Sequence, residues 1–242
     1  SDGQSFTMIV EEDGKFLLKK YKFKDYSGAG TLLMNLSDIQ FEGKKLDFDD
    51  VKLSKSGKWL LIQAGTQSIY RHSYSTTYYI CNTVTKETFK IHNQDVPQTL
   101  GTFSPDETKL GYVSGNNLFV YDIANKTRKQ ITSDGKQNSI INGTTDWVYE
   151  EEFAITQGFE WSPDSKYLAF MRFDETGVKQ FQMAMYGNLY PDQYTYKYPK
   201  AGEDNSKVTF HIANTETGSV KPVNLGEYEY LPRFQWSPVK NE

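Results

Sequence analysis

One phrase recurs along the chain and restricts its fold more than any other feature: an apolar residue, Ser, usually Pro-Asp, then a lysine and an apolar run. It occurs as "LSKSGKWLLI" (53–62), "FSPDETKLGYV" (103–113), "WSPDSKYLAFM" (161–171) and, cut short, "WSPVKNE" (236–242). The opening "SDGQSFTMI" resembles the remnant of one more copy. Ser-Pro-Asp is a turn with its own chemistry, because proline fixes φ and the aspartate carboxylate accepts from the backbone that follows. Each turn leads into a strand, and further strands end in polar hairpins, as in "LFVYDIANKTRKQIT" (118–132) and "VTFHIANTETGSVKPV" (208–223). Four short strands per unit of about 50 residues is the arithmetic of a β-propeller blade. A β-sandwich also supplies short strands, but it has no reason to repeat this phrase. The chain is therefore expected to be all-β, a partial β-propeller of about four blades within a larger ring, with more polypeptide following Glu242. An open arc would expose edge strands through which copies could pair.

Two units are longer than the rest. One surplus, 133–158, contains the run "DWVYEEEF". The other, 181–207, alternates tyrosines about a Pro-Asp turn and is expected to form a protruding hairpin. Four of its tyrosines, Tyr190, Tyr194, Tyr196 and Tyr198, are candidates for a contact surface. Aromatic residues make up 15% of the chain, with 17 Tyr and 15 Phe, which favours strands over disorder. The net charge of −4 and the scattered lysines leave no basic stripe to neutralise a phosphate backbone, so nucleic acid is not an expected partner. No apolar run approaches the roughly 20 residues of a membrane span, and "SDGQSFTMIV" has no signal-peptide pattern. The single cysteine, Cys81, lies in the apolar run "YYICNT" and is expected to be a buried, inert thiol.

Catalytic signatures are missing from the text of the chain. There is no Gly-x-Ser-x-Gly elbow. His72, His92 and His211 have no metal-ligand spacing and are expected to be surface or strand residues. The glycines of "YSGAGT" (26–31) match no phosphate-binding loop. Neither a metal nor a cofactor is expected, and nucleophilic catalysis would have to come from elsewhere.

"DWVYEEEF" is long enough for a short helix. Asp146 suits its N-cap, and acidic residues are favoured in the first turns. Tyr149 and Phe153, four apart, would share an apolar face. Glu151 and Glu152 would point about 100° apart, near enough to hold one small cation together. From the residues alone, a solvated acidic turn and a cation site both remain open. In "SIYRHSY" (68–74), Arg71 stands among aromatics at the end of a strand, in a chain with four arginines. It could be an ordinary surface residue. An arginine with two carboxylates is also what a site needs to hold a peptide's N-terminal end, with the carboxylates on the ammonium and the guanidinium on a carbonyl.

"NGTTDWVYEEEF", "YRHSY" and "YPKAG" (198–202), in this order, resemble the glutamate motif, the arginine motif and the propeller arm of the dipeptidyl peptidase IV family, and the likeness runs along essentially the whole chain. The resemblance implies an eight-bladed N-terminal propeller followed by an α/β-hydrolase domain bearing Ser, Asp and His, absent from this chain. It implies release of Xaa-Pro or Xaa-Ala dipeptides from peptide N-termini. Glu151 and Glu152 would bind the substrate's free amine and Arg71 a peptide carbonyl. Asp146, Trp147, Tyr149 and Glu150 would support the motif, with no substrate contact assigned to Glu150. The tyrosine hairpin would be an arm for homodimerisation, and the parent would be secreted or periplasmic, with a membrane anchor in the full-length protein as the alternative. "AITQGFE" (154–160) departs from the mammalian-like pattern, which leaves contacts just after the glutamates unassigned. The competing readings are a non-catalytic propeller that binds peptides or proteins, and a dimerisation scaffold.

Overall fold

The structure, a computed structural model, describes residues 3–92 and 96–238. The last residues of the fourth repeat phrase, 239–242, and the first two of the chain lie outside them. Two compact units are present: residues 1–66 with 77–93, and residues 67–76 with 94–242.

In the first unit, an antiparallel meander of Ser5–Glu12, Lys15–Lys22 and Thr31–Asn35 precedes a four-stranded sheet. That sheet runs Asp50–Leu53, Trp59–Ser68, Tyr74–Asn82, Thr88–Lys90 in sequence order. Leu18, Met34, Leu36, Leu60, Ile62 and Cys81 form the core of this unit. Cys81 is fully buried, and burial raises its thiol pKa, which keeps it protonated and unreactive. The turn joining the two central strands, with the strand ends beside it, residues 67–76, groups with the second unit.

The second unit holds a sheet of Thr99–Phe103, Lys109–Ser114, Asn117–Asp122 and Thr127–Gln130, again in sequence order. Its other large sheet runs Ile140–Asn142, Tyr167–Asp174, Lys207–Asn214, Val220–Val223, with Phe159–Trp161 also pairing Tyr167–Asp174. The central strand "YLAFMRFD" is buried over its "LAFM" run because it is covered on both faces. Leu100, Val113, Leu118, Phe159, Trp161, Leu168 and Phe170 fill the space where the two sheets meet. Each such side chain contributes about 1.5–3 kcal/mol on leaving water.

The repeated phrase has one hydrogen-bonding scheme. Ser54, Ser104 and Ser162 each donate their N–H to the carbonyl five residues on, at 2.8, 2.9 and 2.9 Å. The serine Oγ accepts the N–H of that same residue in all three copies, at 3.1, 3.0 and 2.9 Å. The turn closes through a left-handed residue three positions after the serine: Gly57, Glu107 and Ser165. Where Pro-Asp is present, the serine hydroxyl also donates to the aspartate, at 2.6 Å for Asp106 and 2.7 Å for Asp164. The carboxylates accept the N–H groups of Thr108 and Lys166. The phrase is thus a self-sufficient turn that leads into an inner strand of each of the three larger sheets.

Of the surplus 133–158, Ile140–Asn142 is incorporated into the sheet. The remainder forms a loop pinched by a bridge between Thr144 and Gln157. Gly158 permits the pinch: a Cβ there would meet the Thr144 carbonyl oxygen at 2.7 Å. On this loop stands the single α-helix among the described residues, Trp147–Phe153, here α1. The surplus at 181–207 falls on a two-stranded hairpin, Gln180–Met185 with Asp192–Lys197, that begins one residue before it. Of the histidines, His72 lies in the 67–76 turn, His211 stacks on Phe170 at 5.3 Å within its strand, and His92 is buried.

Candidate functional site

Helix α1 is fixed at both ends and along one side. The Asp146 side chain accepts the Tyr149 N–H at 3.0 Å and the Ser206 hydroxyl at 2.6 Å. Burial raises the Asp146 pKa, and those two bonds partly offset the rise. Ala154 ends the helix in the left-handed conformation, with its N–H returning to the Tyr149 carbonyl. Tyr149 is buried edge-on against Phe173 at 4.8 Å and Phe153 at 5.1 Å, and its hydroxyl accepts the Leu231 N–H at 2.7 Å. Trp147 packs on Tyr198 at 4.3 Å.

A rigid helix turns successive side chains about 100° apart, so the three glutamates meet three environments. Glu150 is 4% exposed, and one of its oxygens accepts both the His72 N–H at 2.9 Å and the Ser73 N–H at 2.8 Å. Glu151 is half-buried and faces Arg71, with Arg71 Nε at 3.3 and 3.4 Å from its two oxygens. Glu152 is exposed. The structure therefore brings Arg71, Glu150 and Glu151 together from stretches about 80 residues apart, with Glu152 the next residue on the helix.

The turn carrying Arg71 is closed by the Ile69 N–H on the Ser73 carbonyl at 2.9 Å and the Tyr70 N–H on Ser73 Oγ at 3.2 Å. Beside it, the Tyr70 ring lies edge-on to Tyr194 at 6.2 Å and Tyr196 at 5.5 Å. Burial, then the neighbouring Tyr194 and Tyr196, push the Tyr70 phenol pKa upward, so it stays protonated. Three of the four hairpin tyrosines singled out from the sequence, Tyr194, Tyr196 and Tyr198, thus pack on the second unit's own Tyr70 and Trp147. Tyr190 instead lies at the hairpin tip, 81% exposed beside Leu189 at 93% and Tyr186 at 85%.

A cavity of about 270 Å³ opens beneath these elements. Tyr70, Asp146, Trp147, Glu150, Glu175 and Lys197 are among the residues around it, and Glu150 is the motif glutamate that reaches it. Two of its features were hidden in the sequence. Glu150 looked idle because its partners are backbone amides more than 70 residues away; the nearest signal is that Asp146 and Glu150, four apart, share a helix face. Glu175 in "FDETGV" resembles a surface turn, yet it is 5% exposed. Among the described residues, no cluster of His, Cys, Asp and Glu is arranged to hold a metal ion.

Comparison with known proteins identifies the family of the chain. The chain is 31% identical over 217 residues to dipeptidyl peptidase 4 of Sus scrofa, covering 86% of this chain and 27% of that protein. It is 33% identical over 174 residues to prolyl endopeptidase FAP of Mus musculus, covering 71% of this chain and 23% of that protein. The crystal structure of Porphyromonas gingivalis dipeptidyl peptidase 4 superimposes with a TM-score of 0.85 at 35% identity, over 96% of this chain and 33% of that one. The chain thus spans about a quarter of the length of the curated relatives it matches. Its all-β sheets have the fold of the N-terminal propeller of dipeptidyl peptidase 4. Residues 54–242 match the family described as the dipeptidyl peptidase IV (DPP IV) N-terminal region, and the chain belongs to that family.

Proposed function

We propose that this chain is the part of a serine dipeptidyl peptidase that recognises the free N-terminus of a peptide. Glu151 and Glu152 take the ammonium, and Arg71 takes a carbonyl of the bound dipeptide. The observation that carries this reading is the pairing of Arg71 with Glu151, which places a cation and an anion from distant stretches side by side. An ammonium held by two carboxylates is stabilised by charge-assisted hydrogen bonds, in part offset by desolvation. Only a substrate with a free amine gains this stabilisation, so a grip set one dipeptide from the nucleophile turns binding into a length measurement. The nucleophile, its histidine and its aspartate would belong to a hydrolase domain of the same polypeptide.

The hairpin tip, with Tyr186, Leu189 and Tyr190 all more than 80% exposed, is a suitable surface for a second copy. A secreted or periplasmic location for the parent is part of this reading and fits the likeness to a bacterial dipeptidyl peptidase 4. The name of one relative, prolyl endopeptidase FAP, favours examining internal cleavage as a second reading. Both are tested by assaying the full-length polypeptide with free and N-acetylated Xaa-Pro-nitroanilides. Exclusive cleavage of the free substrate supports the dipeptidyl reading, and equal cleavage of the two overturns it. No cleavage of either would favour a non-catalytic binding module.

A further inference from the structure

We propose that Glu150 is a positioning residue for the arginine turn, and that its carboxylate sets where Arg71 meets a bound peptide. This rests on the function proposed above. The turn 69–73 satisfies two of its own backbone donors, those of Ile69 and Tyr70, through Ser73. The two amides that follow Arg71 in the chain are those of His72 and Ser73. Both point at a single oxygen of Glu150, at 2.9 and 2.8 Å. A buried acceptor oxygen that binds two amides is a firm anchor, since either amide left without it would bear its full desolvation cost.

The Arg71–Glu151 pair cannot serve as that anchor. Its contacts are longer, and the Arg71 side chain is 70% exposed. Exposed pairs of this kind contribute little to holding a conformation. On the other flank, Tyr70 is held by the rings of Tyr194 and Tyr196. Arg71 thus lies between fixed neighbours, with its side chain 70% exposed and reaching Glu151 through long contacts.

The anchor and the proposed amine ligand are adjacent on α1. One helix, fixed by the Asp146 cap and the buried Tyr149, therefore carries Glu151 and also determines the position of the turn bearing Arg71. The separation of the amine grip from the carbonyl grip becomes a property of one rigid element. That separation is what a length-measuring site must keep constant.

Acceptor geometry and charge are separable by substitution. Glu150→Gln keeps an acceptor oxygen at the same reach and removes the charge. Glu150→Asp keeps the charge and withdraws the oxygens by one methylene, about 1.5 Å. In the full-length protein assayed with a free Xaa-Pro-nitroanilide, Glu150→Gln is expected to lose less than about 10-fold in kcat/KM. Glu150→Asp is expected to lose about 10- to 100-fold, mostly through KM. In an Arg71→Ala background the aspartate variant should cost less than about 3-fold more, because the residue it positions is gone. The reverse order, with aspartate tolerated and glutamine not, would make Glu150 a charge for the amine and overturn the proposal. Equal losses with and without Arg71 would also overturn it. Amide hydrogen exchange supplies a readout that needs no catalysis: Glu150→Asp should speed exchange at His72 and Ser73 while leaving Tyr149 protected. Unchanged protection at His72 and Ser73 refutes the clamp. If the wild-type protein cleaves free and acetylated substrates alike, the peptide-recognition reading fails, and the exchange measurement still decides whether Glu150 holds the turn.

Discussion

Substitution of Glu175 by glutamine should stabilise the protein in a manner that depends on pH. Glu175 follows the strand Tyr167–Asp174; its N–H donates to the Ser139 carbonyl at 2.9 Å, and its carbonyl accepts the Val178 N–H at 3.1 Å. These bonds fix the backbone and bury the side chain, which is 5% exposed at the edge of the cavity. Burial is the largest influence on its carboxyl, followed by the negative charge of Asp146; Lys197 opposes them, and Asp174 adds to them. Lys197 compensates only in part, because its ammonium donates to the carbonyls of Val178 and Thr176. The pKa is pushed from 4.5 to about 7. A carboxyl with a raised folded pKa favours its protonated form in the native state. The native state therefore binds more protons than the unfolded chain between these two values, and stability falls as pH rises through that window. At about 1.4 kcal/mol per pH unit, the displacement amounts to about 3 kcal/mol, fully present as a cost above pH 7 and absent below 4.5. Glu175→Gln, which is neutral at every pH, should match the wild type at pH 4.5 and exceed it by up to about 3 kcal/mol at pH 8. Denaturant titrations of both proteins at the two pH values measure this. A stability difference that is the same at pH 4.5 and pH 8 would refute the assignment of a neutral buried carboxyl.

Two further substitutions test how the helix is held. Tyr149→Phe removes the acceptor of the Leu231 N–H and should lower stability by about 1 kcal/mol, read as a lower Tm; an unchanged Tm would mean that water replaces the hydroxyl at no cost. Gly158→Ala forces a methyl to 2.7 Å from the Thr144 carbonyl. It should cost about 1–3 kcal/mol and loosen the base of the α1 loop, measurable as faster amide exchange at Tyr149.

The architecture was legible because the repeated serine phrase is local chemistry. Ser104, Asp106 and Lys109 find each other within six residues, so the turn and the strand after it are written in adjacent letters. Helix α1 was legible for the same reason: Asp146 caps it, and Tyr149 and Phe153 share a face at the expected spacing. The role of Glu150 was not legible, since its partners are backbone amides of a turn distant in sequence, and an amide leaves no mark in an amino-acid sequence. The hairpin shows the same limit. Alternation exposed its strands, but it could not say that Tyr194 and Tyr196 would cover Tyr70 while Tyr190 met solvent. Glu175 was hidden because a glutamate beside Asp, Thr and Gly resembles a turn, and its burial depends on packing between distant segments.

The most direct test of N-terminus recognition is the ratio of kcat/KM for free and N-acetylated Xaa-Pro-nitroanilide, measured in the full-length protein and in Glu151→Gln/Glu152→Gln. A large preference for the free amine is expected in the wild type, collapsing in the double variant through loss of the free substrate rather than gain of the blocked one. A preference that survives the double substitution would contradict this, and would place the amine site away from these two carboxylates.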